Sequence, residues 1–252
     1  MPAAIEVQNV SKFFGSLRAV DDVSLKVEER SLTILIGPNG SGKTTLINTI
    51  AGLYGADAGK VLLYGRDITK LHSHEIYRMG LARTFQIPSL FGKLSVLENA
   101  MVAAKGNPGE NFLRSMVKRS WIKKEREVAE SSFKTLSLVG LYPMWDKPAE
   151  SLSGGQMKLL EIARALMGGA KVVLLDEPIS GVNPKLAHDI FGTLINLRRD
   201  LGVTFFIIEH RLDIALQYID TVVAMAYGKL IAAGKPELVM TDPRLIEAYL
   251  GG

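Results

Sequence analysis

Apolar positions along this chain change their spacing several times, and each change marks an element. Residues 5–10, 23–27 and 31–36 are short runs rich in valine, isoleucine and leucine and predict strands. The third is almost wholly apolar and runs into a glycine-rich loop, after which residues 44–51 show a helical pattern. Residues 60–64 predict another strand, and residues 81–87 a short one that takes in Gln86. Residues 93–138 are helical in pattern, with a break at Gly106-Asn107-Pro108-Gly109. That stretch has no strand candidate and is read as an inserted helical lobe. A further helical face, formed by Leu159, Ile162, Ala163 and Leu166, follows Ser153, which is placed as its N-cap. Alternation then resumes: strand at 172–175, helix at 185–199, strand at 203–208, helix at 212–218, strand at 221–225. Strands alternating with helices predict an α/β fold whose mainly parallel sheet is covered on both faces.

Composition narrows the class. The chain has 252 residues, 47% hydrophobic and 22% charged, which suits a packed globule. With no cysteine it can form neither disulfides nor a thiolate metal site. The first residues lack the basic start and apolar core of a signal peptide, and no uncharged apolar stretch approaches the ~18 residues of a membrane span. A membrane role is therefore expected to come through a partner. The net charge is +4, with a denser basic cluster at Arg114, Lys118, Arg119, Lys123, Lys124 and Arg126 around Trp121. The cluster reads as a solvated helix face. Its single aromatic is not the stacking series of a single-strand binder, so no nucleic acid is expected as a partner.

Four motifs carry chemistry. Gly37-Pro38-Asn39-Gly40-Ser41-Gly42-Lys43-Thr44 matches a phosphate loop in full, between a strand and a helix, with Thr45 next. Its glycines let backbone N–H groups point at phosphates, Lys43 supplies charge to the β- and γ-phosphates, and the Thr44 hydroxyl can ligate Mg²⁺. Leu152-Ser153-Gly154-Gly155-Gln156 opens a second helix, where free N–H groups and the helix dipole favour an anion. The apolar run 172–175 ends in Asp176 and Glu177. At the carboxyl end of a strand Asp176 is placed to face a nucleotide's magnesium, and Glu177 to polarise a water for attack on the γ-phosphate. His210 follows the strand at 203–208 and can donate to the γ-phosphate. His72 and His74 have metal-compatible spacing but no further ligand nearby, so no metal is expected there.

The order phosphate loop, Gln86, Leu-Ser-Gly-Gly-Gln, apolar strand with Asp-Glu, then His resembles that of the ATP-binding cassette (ABC) ATPases, over essentially the whole chain. The resemblance implies a P-loop NTPase core with a mainly parallel sheet, an N-terminal antiparallel β subdomain and an inserted helical subdomain. It also implies one cassette domain over 1–252, with 1–92 and 170–252 as the nucleotide-binding core and 93–169 as the helical part carrying the signature loop. By the same resemblance Gln86 contacts Mg²⁺ or the attacking water and relays nucleotide state to a membrane partner. Phe14 is similar to the aromatic that stacks on adenine; on a strand Phe13 faces the other way, so one of the pair is expected in the core. Residues 180–184 correspond to the loop that crosses the dimer interface, with Asn183 where the family usually has aspartate.

Leu81-Ala82-Arg83-Thr84-Phe85-Gln86, the Asn183-Pro184 variant, the ending from Asp242 to Gly251 and the basic helical segment resemble the ATPases of branched-chain amino acid importers. Urea and lipopolysaccharide-type transport ATPases share much of that ending and stand as the alternative, and a soluble non-transport ABC ATPase as a more distant one. The resemblance implies ATP and Mg²⁺ as cofactors. Its implied partners are a second ATPase, identical or paralogous, clamped across ATP, then integral membrane permeases and, indirectly, a substrate-binding protein. The expected location is peripheral, on the cytoplasmic face of the cell membrane.

Overall fold

The computed structural model describes residues 2–84, 89–106 and 118–250. The chain divides into two compact units, Met1–Arg83 with Lys171–Gly252, and Thr84–Ala170.

In the first unit the chain opens with a long hairpin, β1 (Ala3–Phe14) and β2 (Leu17–Glu28). Two bulged positions, Asn9 and Asp22, take positive φ, and side chains replace the ladder bonds lost there. The Asn9 amide donates to the Asp22 carboxylate at 2.9 Å, and the Asp22 N–H donates to the Ser11 hydroxyl at 3.0 Å. Then come β3 (Leu32–Ile36), α1 (Lys43–Ile50), β4 (Ala58–Leu63), β5 (Arg66–Asp67), α2 (Ser73–Arg78) and β6 (Leu81–Arg83). β1, β2, β4 and β5 form an antiparallel sheet in the order β2-β1-β4-β5.

After the second unit the chain supplies β7 (Val172–Asp176), α6 (Pro184–Leu201), β8 (Thr204–Ile208), α7 (Leu212–Ala215), β9 (Thr221–Ala226) and β10 (Lys229–Gly234). Two short helices, α8 (Pro236–Val239) and α9 (Pro243–Leu250), follow. The second sheet runs β10-β9-β3-β8-β7-β6, parallel throughout except for the β10 edge. Every residue of β3, β7 and β8 is buried, as expected of parallel strands covered on both faces. Helix α1 shares one apolar cluster with both sheets: Leu46, Ile47 and Ile50 lie with Val7, Val10 and Val23 of one, and with Leu35, Leu174 and Phe206 of the other.

The second unit is helical: α3 (Val96–Val102), α4 (Lys118–Leu138) and α5 (Gly154–Met167). Ser95 and Glu98 form a reciprocal cap at the start of α3. Asn99, fully buried, accepts the Phe91 N–H and donates to the carbonyls of Phe91, Leu94 and Ser95, all within 3.2 Å.

Three sequence expectations change. The helix predicted over 212–218 is one α-helical turn followed by a 3₁₀ turn at Leu216–Tyr218. The strand predicted over 81–87 is β6, with 85–87 outside the described residues. Neither Phe13 nor Phe14 is in the core: they are 37% and 44% exposed, Phe13 beneath the Arg18 guanidinium and Phe14 edge-on to Tyr54. The long β1–β2 hairpin extends beyond the core there, so both faces of its tip meet solvent.

Leu46 is completely buried between the two sheets. Leu46→Ala is expected to destabilise the first unit by about 3 kcal/mol, read as a lower urea midpoint at unchanged slope. A loss below about 1 kcal/mol would show that the site collapses and α1 is not a packed centre.

Candidate functional site

The carboxyl ends of the parallel strands gather the site, as the topology requires. β3 runs directly into the loop 37–42, which feeds α1. Two of its glycines are demanded by contact. A Cβ on Gly37, at φ +148°, would lie 2.0 Å from the Met225 carbonyl oxygen, and one on Gly42, at φ +97°, would lie 2.2 Å from that of Ala19. Gly42 is also the N-cap of α1 and offers no side-chain acceptor, so the first-turn N–H groups are available to an anion. The Gly37 N–H itself donates to the Tyr249 hydroxyl of α9 at 3.0 Å.

The Lys43 ammonium folds back over this loop, donating to the Gly37 carbonyl at 2.8 Å and the Pro38 carbonyl at 2.9 Å. Burial pulls its pKa below the ordinary lysine value, and the negative charges of Glu177 and then Asp176 oppose that pull.

β7 ends at Asp176, whose carboxylate pairs with the Arg83 guanidinium of β6 at 3.1 Å; both side chains are nearly buried. The next residue, Glu177, sits at φ +49°, a left-handed conformation unusual for glutamate. Its N–H donates to the Ile208 carbonyl at 2.9 Å, prolonging the β7–β8 ladder. The side chain turns toward His210, with Glu177 Oε1 3.4 Å from His210 Nε2.

Phe14, Asn39, Gly40, Ser41, Gly42, Lys43, Thr44, Thr45, Glu177 and His210 together line one cleft of about 600 Å³. Asp176 stands behind it on Arg83. Gln86 lies outside the described residues. Ser153, Gly154, Gly155 and Gln156 belong to the second unit, where they open α5. There Ser153 is the N-cap, accepting the Gln156 N–H at 3.4 Å while the Gln156 side chain accepts the Ser153 N–H at 2.9 Å. Space is open around Gly154. Asn183, the departure from aspartate, caps α6 by accepting the Leu186 N–H at 2.9 Å.

The cleft also takes in Leu17, Arg18 and Tyr227, which sequence reasoning did not single out. Tyr227 and Gly228 are the two central residues of the β9–β10 hairpin, both at positive φ. Tyr64-Gly65 makes the same turn between β4 and β5. A Tyr-Gly pair between short apolar runs was the available signal, in a position usually filled by Asn-Gly or Asp-Gly.

A parallel sheet that ends in a glycine loop with a buried lysine, beside a strained carboxylate and a histidine, defines a P-loop nucleotide triphosphatase. A family model described as ABC transporter matches residues 20–180. The chain belongs to that family, as an ATP-binding and ATP-hydrolysing subunit. More narrowly, it is 49% identical to the probable branched-chain amino acid transport ATP-binding protein LivG of Archaeoglobus fulgidus, over 98% of this chain and 95% of that one. It is 47% identical to the protein of the same description in Methanocaldococcus jannaschii, over 98% and 97%. A crystal structure of an ABC transporter cassette in its ADP conformation superposes with a TM-score of 0.86 at 44% identity, covering both chains completely.

The two kinds of glycine in the loop separate in experiment. Gly40, at φ +76°, has open space where a Cβ would lie. Gly40→Ala is expected to cost about 1 kcal/mol, the backbone term alone. Gly42→Ala adds a clash with the Ala19 carbonyl and is expected to cost at least twice as much in urea unfolding. Equal costs would show that the loop relaxes away from β2.

Proposed function

We propose that this subunit drives uptake of branched-chain amino acids through membrane permeases, hydrolysing ATP at a site completed by a second ATPase subunit. The reading of the chemistry rests above all on Glu177, held in a left-handed conformation beside His210 and facing the cleft that carries Lys43. The reading of the cargo rests on similarity along nearly the whole chain to branched-chain amino acid transport ATP-binding proteins.

In this mechanism the loop 37–44 binds the phosphates through its backbone N–H groups, and Lys43 exchanges loop carbonyls for phosphate oxygens. Phe14 takes the adenine ring against its exposed face. The Glu177 carboxylate accepts a proton from a water whose oxygen bonds to the γ-phosphorus. The bond from that phosphorus to the β–γ bridging oxygen breaks, giving ADP and phosphate. His210 stands beside Glu177 and donates to the γ-phosphate. The protein's part is positioning and fixed charge, with no covalent intermediate.

The donor set suits Mg²⁺: the Thr44 hydroxyl and the Asp176 carboxylate, whose Oδ2 also pairs with Arg83, are hard oxygen ligands, too few for a protein cage but sufficient for an ion shared with phosphates. Thr44 and Asp176 would hold it, with Gln86 as a further ligand, and the ion would neutralise charge developing on the phosphates. Ser153, Gly154, Gly155 and Gln156 would close over ATP bound to a partner's phosphate loop, using the α5 N-terminus. The partner ATPase is either a second copy or a paralogue. In this reading the subunit sits peripherally on the cytoplasmic face of the membrane, held there by the permeases. No helix among the described residues is long and apolar enough to cross a membrane.

Glu177→Gln should retain ATP affinity, lose at least about a hundredfold in kcat and accumulate an ATP-bound dimer. Turnover near wild type would remove Glu177 from the role of base. Ser153→Arg places a bulky cation at the α5 N-terminus and should abolish ATP-dependent dimerisation while the monomer still binds ATP. Dimers of that variant in light scattering would refute the role of Ser153 in a partner's site.

A further inference from the structure

Strand β8 is buried along its whole length, and the residue that follows it, Glu209, is only 1% exposed. An ionisable group at that depth needs partners, and Glu209 finds three in the backbone. Oε1 accepts the Ile179 N–H at 2.9 Å. Oε2 accepts the N–H of His210 at 2.9 Å and of Arg211 at 3.2 Å. Ile179 is two residues beyond Glu177 and fully buried. One carboxylate therefore grips the segment after Glu177 with one oxygen and the segment carrying His210 with the other. Only a group that accepts on both arms satisfies this arrangement. A glutamine would turn an N–H₂ toward a backbone N–H whichever way its amide lay. On the far side of His210, the Arg211 guanidinium donates to the Val182 carbonyl at 2.9 Å. Both neighbours of His210 thus reach the loop 179–182.

We propose that Glu209 is a positioning residue for ATP hydrolysis: its carboxylate locks the loop after Glu177 to the segment after β8 and so sets the approach of His210 to Glu177. Arg211 is the second brace of the same loop. The inference rests on the reading of Glu177 and His210 given above. Because neither Glu209 nor Arg211 is among the residues lining the cleft, they govern turnover and leave nucleotide binding to the loop.

The test compares steady-state hydrolysis with ATP affinity by calorimetry, both in the full chain. Glu209→Gln is expected to lower kcat at least tenfold while the Kd for ATP stays within threefold. In a Glu177→Gln background the same substitution should remove no further activity, because it acts through Glu177. A kcat within twofold of wild type overturns the proposal. So does a parallel collapse of kcat and ATP affinity, which marks a general folding role. If Glu209→Gln does not fold, Arg211→Gln decides: a fall in kcat of about fivefold at unchanged Kd supports the brace, and an unchanged kcat overturns it. The base reading is judged separately by Glu177→Gln alone, whose full activity would overturn that reading whatever Glu209 does.

Discussion

The approach of backbone to backbone around the phosphate loop is the constraint on which the rest of the structure depends. Gly37 lies against the Met225 carbonyl of β9 and Gly42 against the Ala19 carbonyl of β2, at separations that exclude any side chain. Those two strands belong to different sheets, so the loop is clamped between the antiparallel and the parallel layers. The clamp is continuous in hydrogen bonds: Asp21 N–H to the Gly228 carbonyl, then Gly228 N–H to the Ser41 carbonyl. Tyr249, near the end of the chain, supplies the acceptor for the loop's first N–H. A loop held on three sides presents its remaining N–H groups in fixed directions, which is what binding by positioned donors requires. It also explains why α1 must be packed from both sheets: a helix free to shift would carry Lys43 and Thr44 with it.

Much of this was legible in the sequence, because it is written in local patterns. The apolar runs of β3, β7 and β8, the glycine spacing at 37–42 and the Ser153 cap are each decided within a few residues. What escaped was decided across the fold. β10 is a short edge strand of intermediate exposure, and its turn uses Tyr-Gly in place of the usual Asn-Gly. The two phenylalanines at the hairpin tip follow the strand rule of opposite faces, yet neither is buried, since the tip extends past the core. Asn183 stands where the family usually has aspartate; at an N-cap the two residue types are nearly equivalent, and the asparagine oxygen accepts the Leu186 N–H. Glu209 read as a polar residue after a strand. The β7–β8 pairing brings up the Ile179 N–H, which joins those of the next two residues, His210 and Arg211, on its carboxylate.

The charges at the cleft divide into local pairs, and the division decides what the site can receive. Asp176 is engaged by Arg83, and Glu177 faces His210 within the cleft lining. Among the described residues no carboxylate pairs directly with Lys43, which rests on two carbonyls and reaches the Ser41 hydroxyl at 3.5 Å, while burial works against its positive form. The carboxylates of Glu177 and Asp176 offset that effect from farther off. Neutral carbonyls hold an ammonium less strongly than an anion does, since an anionic oxygen adds full charge–charge attraction to the hydrogen bond. A polyphosphate placed along the loop therefore gives Lys43 a better partner than the loop itself can. The negative charge of Glu177 lines the same cleft as Lys43, so the cleft carries both signs. Sequence order thus becomes chemical order: the cation stands after β3, and the Glu177 carboxylate just beyond the strand two places across the sheet.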